Sequence, residues 1–305
     1  MLAYISHADC ALHKAQEYVP EKPERIEVIE RAIRALPNQP SISYHQAPLA
    51  HRDDLIRVHD TGYIDYILSL SPKPDELICL DTETCLNSHT KNAALRASGS
   101  VILAVDLLMS DQANAAFCNV RPPGHHAEQQ RAMGFCFFNN IAVGVAYALN
   151  RYRLQRVAIV DFDVHHANGT EDIFRQNEAV LLCSSFEHPF YPATPFATNS
   201  KHLLNLPLPA GTGSHAYRKA VSEHWFEQLE AFEPDLICIS AGFDAHKHDF
   251  MADFNLDKAD YAWITKEVRR IANKTCNGRV ISVLEGGYNL SVLGPSAAAH
   301  VAELL

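Results

Sequence analysis

Apolar residues along this chain follow two rhythms. Short continuous runs recur at 115–120 (AAFCNV), 156–160 (RVAIV), 179–185 (AVLLCSS), 235–241 (DLICISA) and 279–284 (RVISVL). Continuity rather than alternation predicts strands buried on both faces. Between them the spacing is helical: in PERIEVIERAI (23–33), Ile26, Ile29 and Ile33 fall on one face and Pro23 stands near the start. AALRASGSVILAVDLLM (93–109) and YAWITKEVRRIAN (261–273) read the same way. Strands alternating with helices over this length predict an α/β protein with a mainly parallel sheet covered by helices.

Four of the five runs pass straight into polar, glycine-containing loops: RPPGHHA (121–127), DFDVHHANGT (161–170), GFDAH (242–246) and EGGYN (285–289). Open α/β sheets bind ligands outside the carboxyl ends of their strands, so these loops are expected to meet at one edge. No repeat, low-complexity tract or long linker interrupts 1–305, which reads as a single catalytic domain.

Bulk properties narrow the partners. A net charge of −10 argues against a protein that binds nucleic-acid phosphates. No apolar run approaches the roughly 20 residues of a bilayer span, and MLAYISHADC lacks a basic region followed by an apolar stretch. The eight cysteines contain no CxxC pair, and Cys183 and Cys238 sit inside apolar runs as small core residues. The expectation is a cytoplasmic chain with reduced thiols and no membrane contact.

Candidate chemistry lies in the four loops. Asp163 and His165 are two apart, so in extended chain they project to one side, and carboxylate and imidazole both suit zinc. Alone, such a pair is more simply a turn cap and a satisfied histidine. Asp244, however, ends another buried run, where a bare carboxylate needs a compensating charge. Together the three point to one metal ion with a position open to water. His125 and His126 alone would be an ordinary polar turn; beside a metal they can supply both proton transfers of amide hydrolysis. Asp161 is the candidate partner of one imidazole and the neutral Asn168 of the other, a difference that separates two pKa values. Tyr288, otherwise a half-buried core tyrosine, follows two glycines and is placed to donate to a developing oxyanion.

RPPGHHA, GFCFFNN, DFDVHHANGT, AGFDAH and EGGY occur in the order seen in the zinc-dependent histone deacetylase family, and LIRVHDTGYIDYI (55–67) and PEKPERIEVI (20–29) resemble its N-terminal segments. The resemblance covers nearly the whole chain. It implies the three-layer α/β/α arginase–deacetylase fold with a mostly parallel central sheet, and removal of an acetyl group from an acylated amine. It assigns Asp163, His165 and Asp244 to one Zn²⁺, His125 and His126 to the tandem catalytic pair, and Tyr288 to carbonyl polarisation. It implies a channel lined by Phe135, Tyr191, Met251 and Gly287, and a structural monovalent cation, K⁺, near Asp161 and Ser184 or Ser185. Asp81 falls near a rim aspartate that holds substrate backbone. Asn168 resembles the class II pattern. Departures are Ala167 in place of a common glycine, Phe186 in place of a histidine, and the segment AHKHDFMADF (245–254). The last two are expected to touch the channel rim.

The substrate expected is an acetylated protein lysine, with a small acetylated amine as the nearest rival. An acetylpolyamine would favour an acidic gate, for which Asp249, Asp253, Asp81 and Glu187 are candidates, whereas Met251 offers no charge. A longer acyl chain is another possibility. An arginase-like dinuclear manganese site would need a carboxylate where His246 stands. A non-enzymatic acyl-lysine reader would not need the histidine pair and Tyr288.

Overall fold

The computed structural model describes residues 1–37, 39–198 and 200–305. Strands β1 (Leu2–Ser6) and β2 (Ile42–Gln46) precede a small antiparallel hairpin, β3 (Ile78–Cys79) with β4 (Cys85–Leu86). β5 (Ala115–Cys118), β6 (Val157–Asp161), β7 (Val180–Glu187), β8 (Leu203–Leu208), β9 (Leu236–Ala241) and β10 (Val280–Leu284) follow. All but the hairpin join one eight-stranded sheet, ordered β2-β1-β5-β10-β9-β6-β7-β8. Every neighbouring pair in it is parallel.

Alternation along each strand feeds two cores. Ile159 of β6 faces one side, with Ala97, Val101 and Leu108 of the helix Thr90–Met109 and Val145 of Asn140–Arg151. Ala158 and Val160 face the other, with Ile29 and Ile33 of Glu24–Arg34, Ile264 and Val268 of Lys258–Thr275, and Val301 of Leu290–Leu304. Helices on both faces of a parallel sheet make three layers.

The five continuous runs are β5, β6, β7, β9 and β10. Three strands of the sheet did not announce themselves. β2 and β8 are its edges, and they mix buried with exposed positions, so their apolar content is broken up. β1, buried over Leu2–Ile5, has no preceding turn residues to mark where it begins. The helix Thr90–Met109 is long and apolar enough to pass for a bilayer span by length and composition, but it packs its buried residues against the sheet and the helix Asn140–Arg151. One expectation is corrected. Cys79 and Cys85, expected as reduced thiols, form a disulfide across the hairpin.

The site follows from strand order. β5, β10, β9 and β6 are consecutive neighbours in the middle of the sheet. Their carboxyl ends release the four loops that carry the histidine pair, Tyr288, Asp244 and the Asp163–His165 pair. Distant in sequence, the four loops leave the sheet side by side.

Candidate active site

β6 ends at Asp161, and the chain beyond it continues to alternate. Phe162 and Val164 point into the core, where Phe162 meets the ring of Phe243 at 6.1 Å. Asp161, Asp163 and His165 therefore turn the other way. Successive side chains brace the turn: Asp161 Oδ1 accepts from Asp163 N (3.1 Å), and Asp163 Oδ1 from His165 N (2.9 Å). From β9, Asp244 Oδ1 accepts from Val164 N (3.0 Å), locking the two loops together.

Asp163, His165 and Asp244 each offer one ligand atom, all within 4.8 Å of one another, and all three residues are buried. His165 Nδ1 lies 2.9 Å from Asp163 Oδ1 and 3.3 Å from Asp244 Oδ2. Asp163 Oδ1 accepts the hydrogen bond from His165 Nδ1, and among the described residues Asp244 Oδ2 is buried with no hydrogen-bond partner. Two glycines keep the space open. A Cβ on Gly242 would come within 2.1 Å of Asp163 Oδ2, and one on Gly286 within 2.0 Å of Asp244 Oδ2. An orphaned carboxylate oxygen, two oxygen donors and one nitrogen donor, and a pocket that tolerates no side chain fit a zinc ion.

The charges agree. Burial opposes ionisation throughout, yet His125 and His165 hold Asp163 far below the usual carboxylate range. Burial and the Asp163 charge together raise Asp244 to about 6. Against burial, Asp163 and Asp244 hold His165 up at about 10. The cluster retains a proton on His165 that a dication would displace.

The loop after β5 places the two histidines side by side, ring centroids 4.0 Å apart. His125 Nδ1 is 3.0 Å from Asp161 Oδ2, and His126 Nδ1 is 2.7 Å from Asn168 Oδ1. Asn168 Nδ2 donates to Glu128 Oε1 (2.8 Å), so its oxygen is the atom that faces His126. The environments part the two imidazoles. Burial would lower His125, but Asp163 and Asp161 raise it to about 10. Burial and the neighbouring His125 drive His126 well below its ordinary value.

Tyr288 stands opposite, with Asp249 Oδ2 accepting from its backbone N–H (2.7 Å) and from that of Asn289 (2.9 Å). Burial and the charge of Asp244 keep its hydroxyl protonated, with the pKa well above 10. A channel of about 130 Å³ leads to this group, lined by Phe135, Phe190, Tyr191, Met251, Gly286 and Glu83 as well as the site residues. Phe190 stacks on His165 (5.7 Å, 21°), and Tyr191 meets His126 edge-on (5.3 Å).

Several sequence assignments change. Gly286 rather than Gly287 lines the channel; Gly287 turns at φ 112°, and its carbonyl accepts from Arg25 Nε (2.6 Å). Asp81 does not line the channel. Its Oδ1 accepts from Glu83 N (2.9 Å) and Thr84 N (2.6 Å), and Glu83 is the acid that reaches the wall. Of the other proposed gate acids, Asp249 is buried beneath Tyr288, and Glu187 is buried with Oε2 bonded to Asp253 N (2.8 Å). Asp253 is exposed and does not line the channel. Phe186 is away from the rim, packed on His166 at 4.7 Å. Ala167 is accommodated because φ is −75°, outside the left-handed region. Asp161 and Ser184 are register partners on adjacent strands, both fully buried, and Ser184 Oγ accepts from Ala167 N (3.4 Å).

Sequence reasoning missed the supports. Glu285 Oε2 accepts from Gly124 N (2.7 Å) and His125 N (3.1 Å), tying the histidine loop to β10. Arg25, fully buried, donates to the carbonyls of Glu285 and Gly287 and lies over the Tyr288 ring at 5.0 Å. Glu21 accepts from Arg25 and Arg121 beneath them. A charged residue beside Ile26 on a helix face otherwise meant for the core was the available signal.

A narrow aromatic passage ending at His165, the histidine of a triad that could hold a metal, beside two imidazoles and a tyrosine, is the arrangement of a metal-dependent hydrolase. Comparison with known proteins carries this further. The model of the histone deacetylase domain family matches residues 19–304. Type-2 histone deacetylase 2 of Dictyostelium discoideum is 34% identical over 94% of this chain, which spans only 19% of that relative's length. The histone deacetylase-like amidohydrolase of Pseudomonas aeruginosa is 34% identical over 86% of this chain and 70% of its own. The crystal structure of the HDA15 HD domain superposes with a TM-score of 0.90 at 30% identity, covering 99% of this chain and 89% of that one. The chain belongs to the histone deacetylase domain family, whose members are deacetylating hydrolases and in general depend on zinc.

Proposed function

We propose that this chain removes acetyl groups from N-ε-acetyl-lysine side chains and releases acetate. The observation that carries the reading is the channel: about 130 Å³, walled by Phe135, Phe190 and Tyr191, and reaching His125, His126, Tyr288 and His165 of the ligand triad. Aromatic faces accept a methylene stem and turn away bulkier amines.

Asp163, His165 and Asp244 would hold one Zn²⁺, which when bound polarises the acyl carbonyl and acidifies water. The protein's own groups do the rest. Asn168 Oδ1 keeps the proton of His126 on Nδ1, so Nε2 is free to take a proton from the attacking water and return it to the leaving amine. His125 remains an imidazolium beside Asp161 and supplies positive charge next to the reacting centre. The Tyr288 hydroxyl donates to the acyl oxygen as negative charge grows there. The two histidines act as a coupled pair. Asp161 and Ser184, with nearby carbonyls, are the proposed K⁺ site; an unchanged Tm on replacing K⁺ by a large organic cation would remove it.

A second reading has one observation in its favour. Glu83 lies half-buried on the channel wall, and the groups that act on it are Tyr191, Asp81 and His165, with no lysine or arginine among them. An unpaired carboxylate suits the distal ammonium of an acetylated polyamine. The deciding experiment compares kcat/KM on an acetyl-lysine peptide and on N-acetylputrescine. A tenfold preference for the peptide, about 1.4 kcal/mol of transition-state binding, supports the lysine reading, and the reverse ratio replaces it.

A further inference from the structure

We propose that the Cys79–Cys85 disulfide is a reversible redox modification site that sets how tightly the channel holds its substrate. The inference rests on the deacetylase reading of the channel. β3 and β4 are two residues each, too short to fix a hairpin by pairing alone, so the covalent link is the main tie across it.

Two residues between the linked cysteines reach the substrate passage. Glu83 lines it, and Thr84 Oγ1, fully buried, accepts from the backbone N–H of Phe135 (3.2 Å). That contact matters because Phe135 sits at φ 66°, a conformation that a bulky L-residue keeps only when its surroundings hold it there. The Phe135 ring lies 5.9 Å from that of Tyr288. The disulfide thus clamps a hairpin that props one wall of the channel opposite the catalytic tyrosine.

The bond is open to exchange from one side. Cys79 is exposed and Cys85 buried. A thiolate of a dithiol reductant attacks Cys79 Sγ, the Cys79–Cys85 bond breaks, and Cys85 leaves as thiolate. Gln16 Nε2, 2.8 Å from Cys85 Sγ and 3.0 Å from Cys79 Sγ, is placed to donate to it. The reductant's second thiolate then attacks its own sulfur in the mixed disulfide and releases Cys79. Two electrons and two protons pass to the protein, and the dithiol becomes a cyclic disulfide. Cys10, Cys118, Cys136, Cys183, Cys238 and Cys276 are free but buried, which leaves this pair as the accessible one.

The test uses the zinc-loaded full chain prepared without reductant, then treated with dithiothreitol and desalted. Thiol alkylation with mass mapping counts the bond, zinc content is measured in both forms, and kcat and KM are taken on the acetyl-lysine peptide. Expected are two protected cysteines, at 79 and 85, that become alkylated on reduction. KM should rise about three- to tenfold with kcat within twofold and zinc unchanged, and should recover on reoxidation. Cys79→Ser should match the reduced form and ignore the reductant. Eight alkylated thiols in the untreated protein, or equal KM in the two forms, overturns the proposal. If Cys79→Ser does not fold, the oxidised and reduced native chains still decide. If neither form turns over any acylated amine, the deacetylase reading fails. The clamp is then judged by peptide Kd from fluorescence anisotropy, expected about three- to tenfold weaker after reduction and refuted by equality.

Discussion

The floor of the channel and its mouth are built on different principles. Asp163, His165, Asp244, His125 and Tyr288 leave the ends of four adjacent, fully buried strands. Asp163, Asp244, His125 and Tyr288 are each fixed by a hydrogen bond to a neighbouring loop, and His165 by one to Asp163 within its own. The mouth is made by a two-residue hairpin, the 188–198 loop and the segment around Met251, elements with little regular structure of their own. The floor thus stands on the regular part of the fold and the mouth on loops and a short hairpin.

Substitutions at the floor should be far more damaging than any at the mouth. Asp244→Asn removes a ligand from a cluster with one orphaned oxygen, so bound zinc should fall below stoichiometry. Activity should drop by at least about 10³-fold, as read by metal analysis alongside turnover; a fully active, zinc-replete variant would overturn the ligand assignment. Tyr288→Phe should keep its zinc and lose about 10²–10³-fold in kcat. Full kcat in that variant would mean the hydroxyl does not meet the reacting carbonyl.

Beneath the floor, the buried Glu21 carboxyl would be raised by desolvation, but Arg121 and Arg25 lower it from 4.5 to about 2. A depressed carboxyl contributes stability in full above its unfolded value and loses it as pH falls towards the folded one. Glu21→Gln should therefore cost about 3 kcal/mol at pH 7, with the gap to the native chain closing between pH 4.5 and 2. Urea titrations across that window measure it, and a gap independent of pH would show that Glu21 is not ionised in the fold. At the mouth the effects shrink. Glu83→Gln should raise KM for N-acetylputrescine about three- to tenfold and leave a neutral acetyl-lysine peptide nearly unchanged. An equal change on both would deny the carboxylate a role in selection.

What could be read from the residues divides along the same line. The loops after β5, β6, β9 and β10 carry their chemistry next to continuous apolar runs, and a buried parallel sheet brings such loops together. The Asp163–His165–Asp244 cluster and the two histidine pairings therefore lay within reach of spacing and charge. Asp81 and Glu83 were not distinguishable, because which of two acids caps its own turn depends on hydrogen bonds within a hairpin whose strands leave almost no sequence pattern. Gly286 and Gly287 are alike in sequence, and only the fold sets Gly286 against the Asp163 and Asp244 carboxylates and turns Gly287 towards Leu293 and Phe243. Phe190 stood beside Tyr191 in HPFYP with nothing in the spacing to say that both would face inward. The disulfide was hidden for a similar reason: Cys79 and Cys85 resemble the buried cysteines until the hairpin places them opposite each other.

The position of β10 has a consequence for the integrity of the site. The strand nearest the C-terminal end of these residues does not add to an edge; it lies between β5 and β9 and completes the middle of the sheet. Without it the histidine loop lacks Glu285 beneath it, and the ligand cluster lacks the Gly286 N–H that braces Asp163 (2.9 Å). A chain truncated before residue 280 would keep Asp163, His165 and Asp244 in its sequence and lose both of these braces. Any metal held by this cluster would therefore depend on β10 being in place.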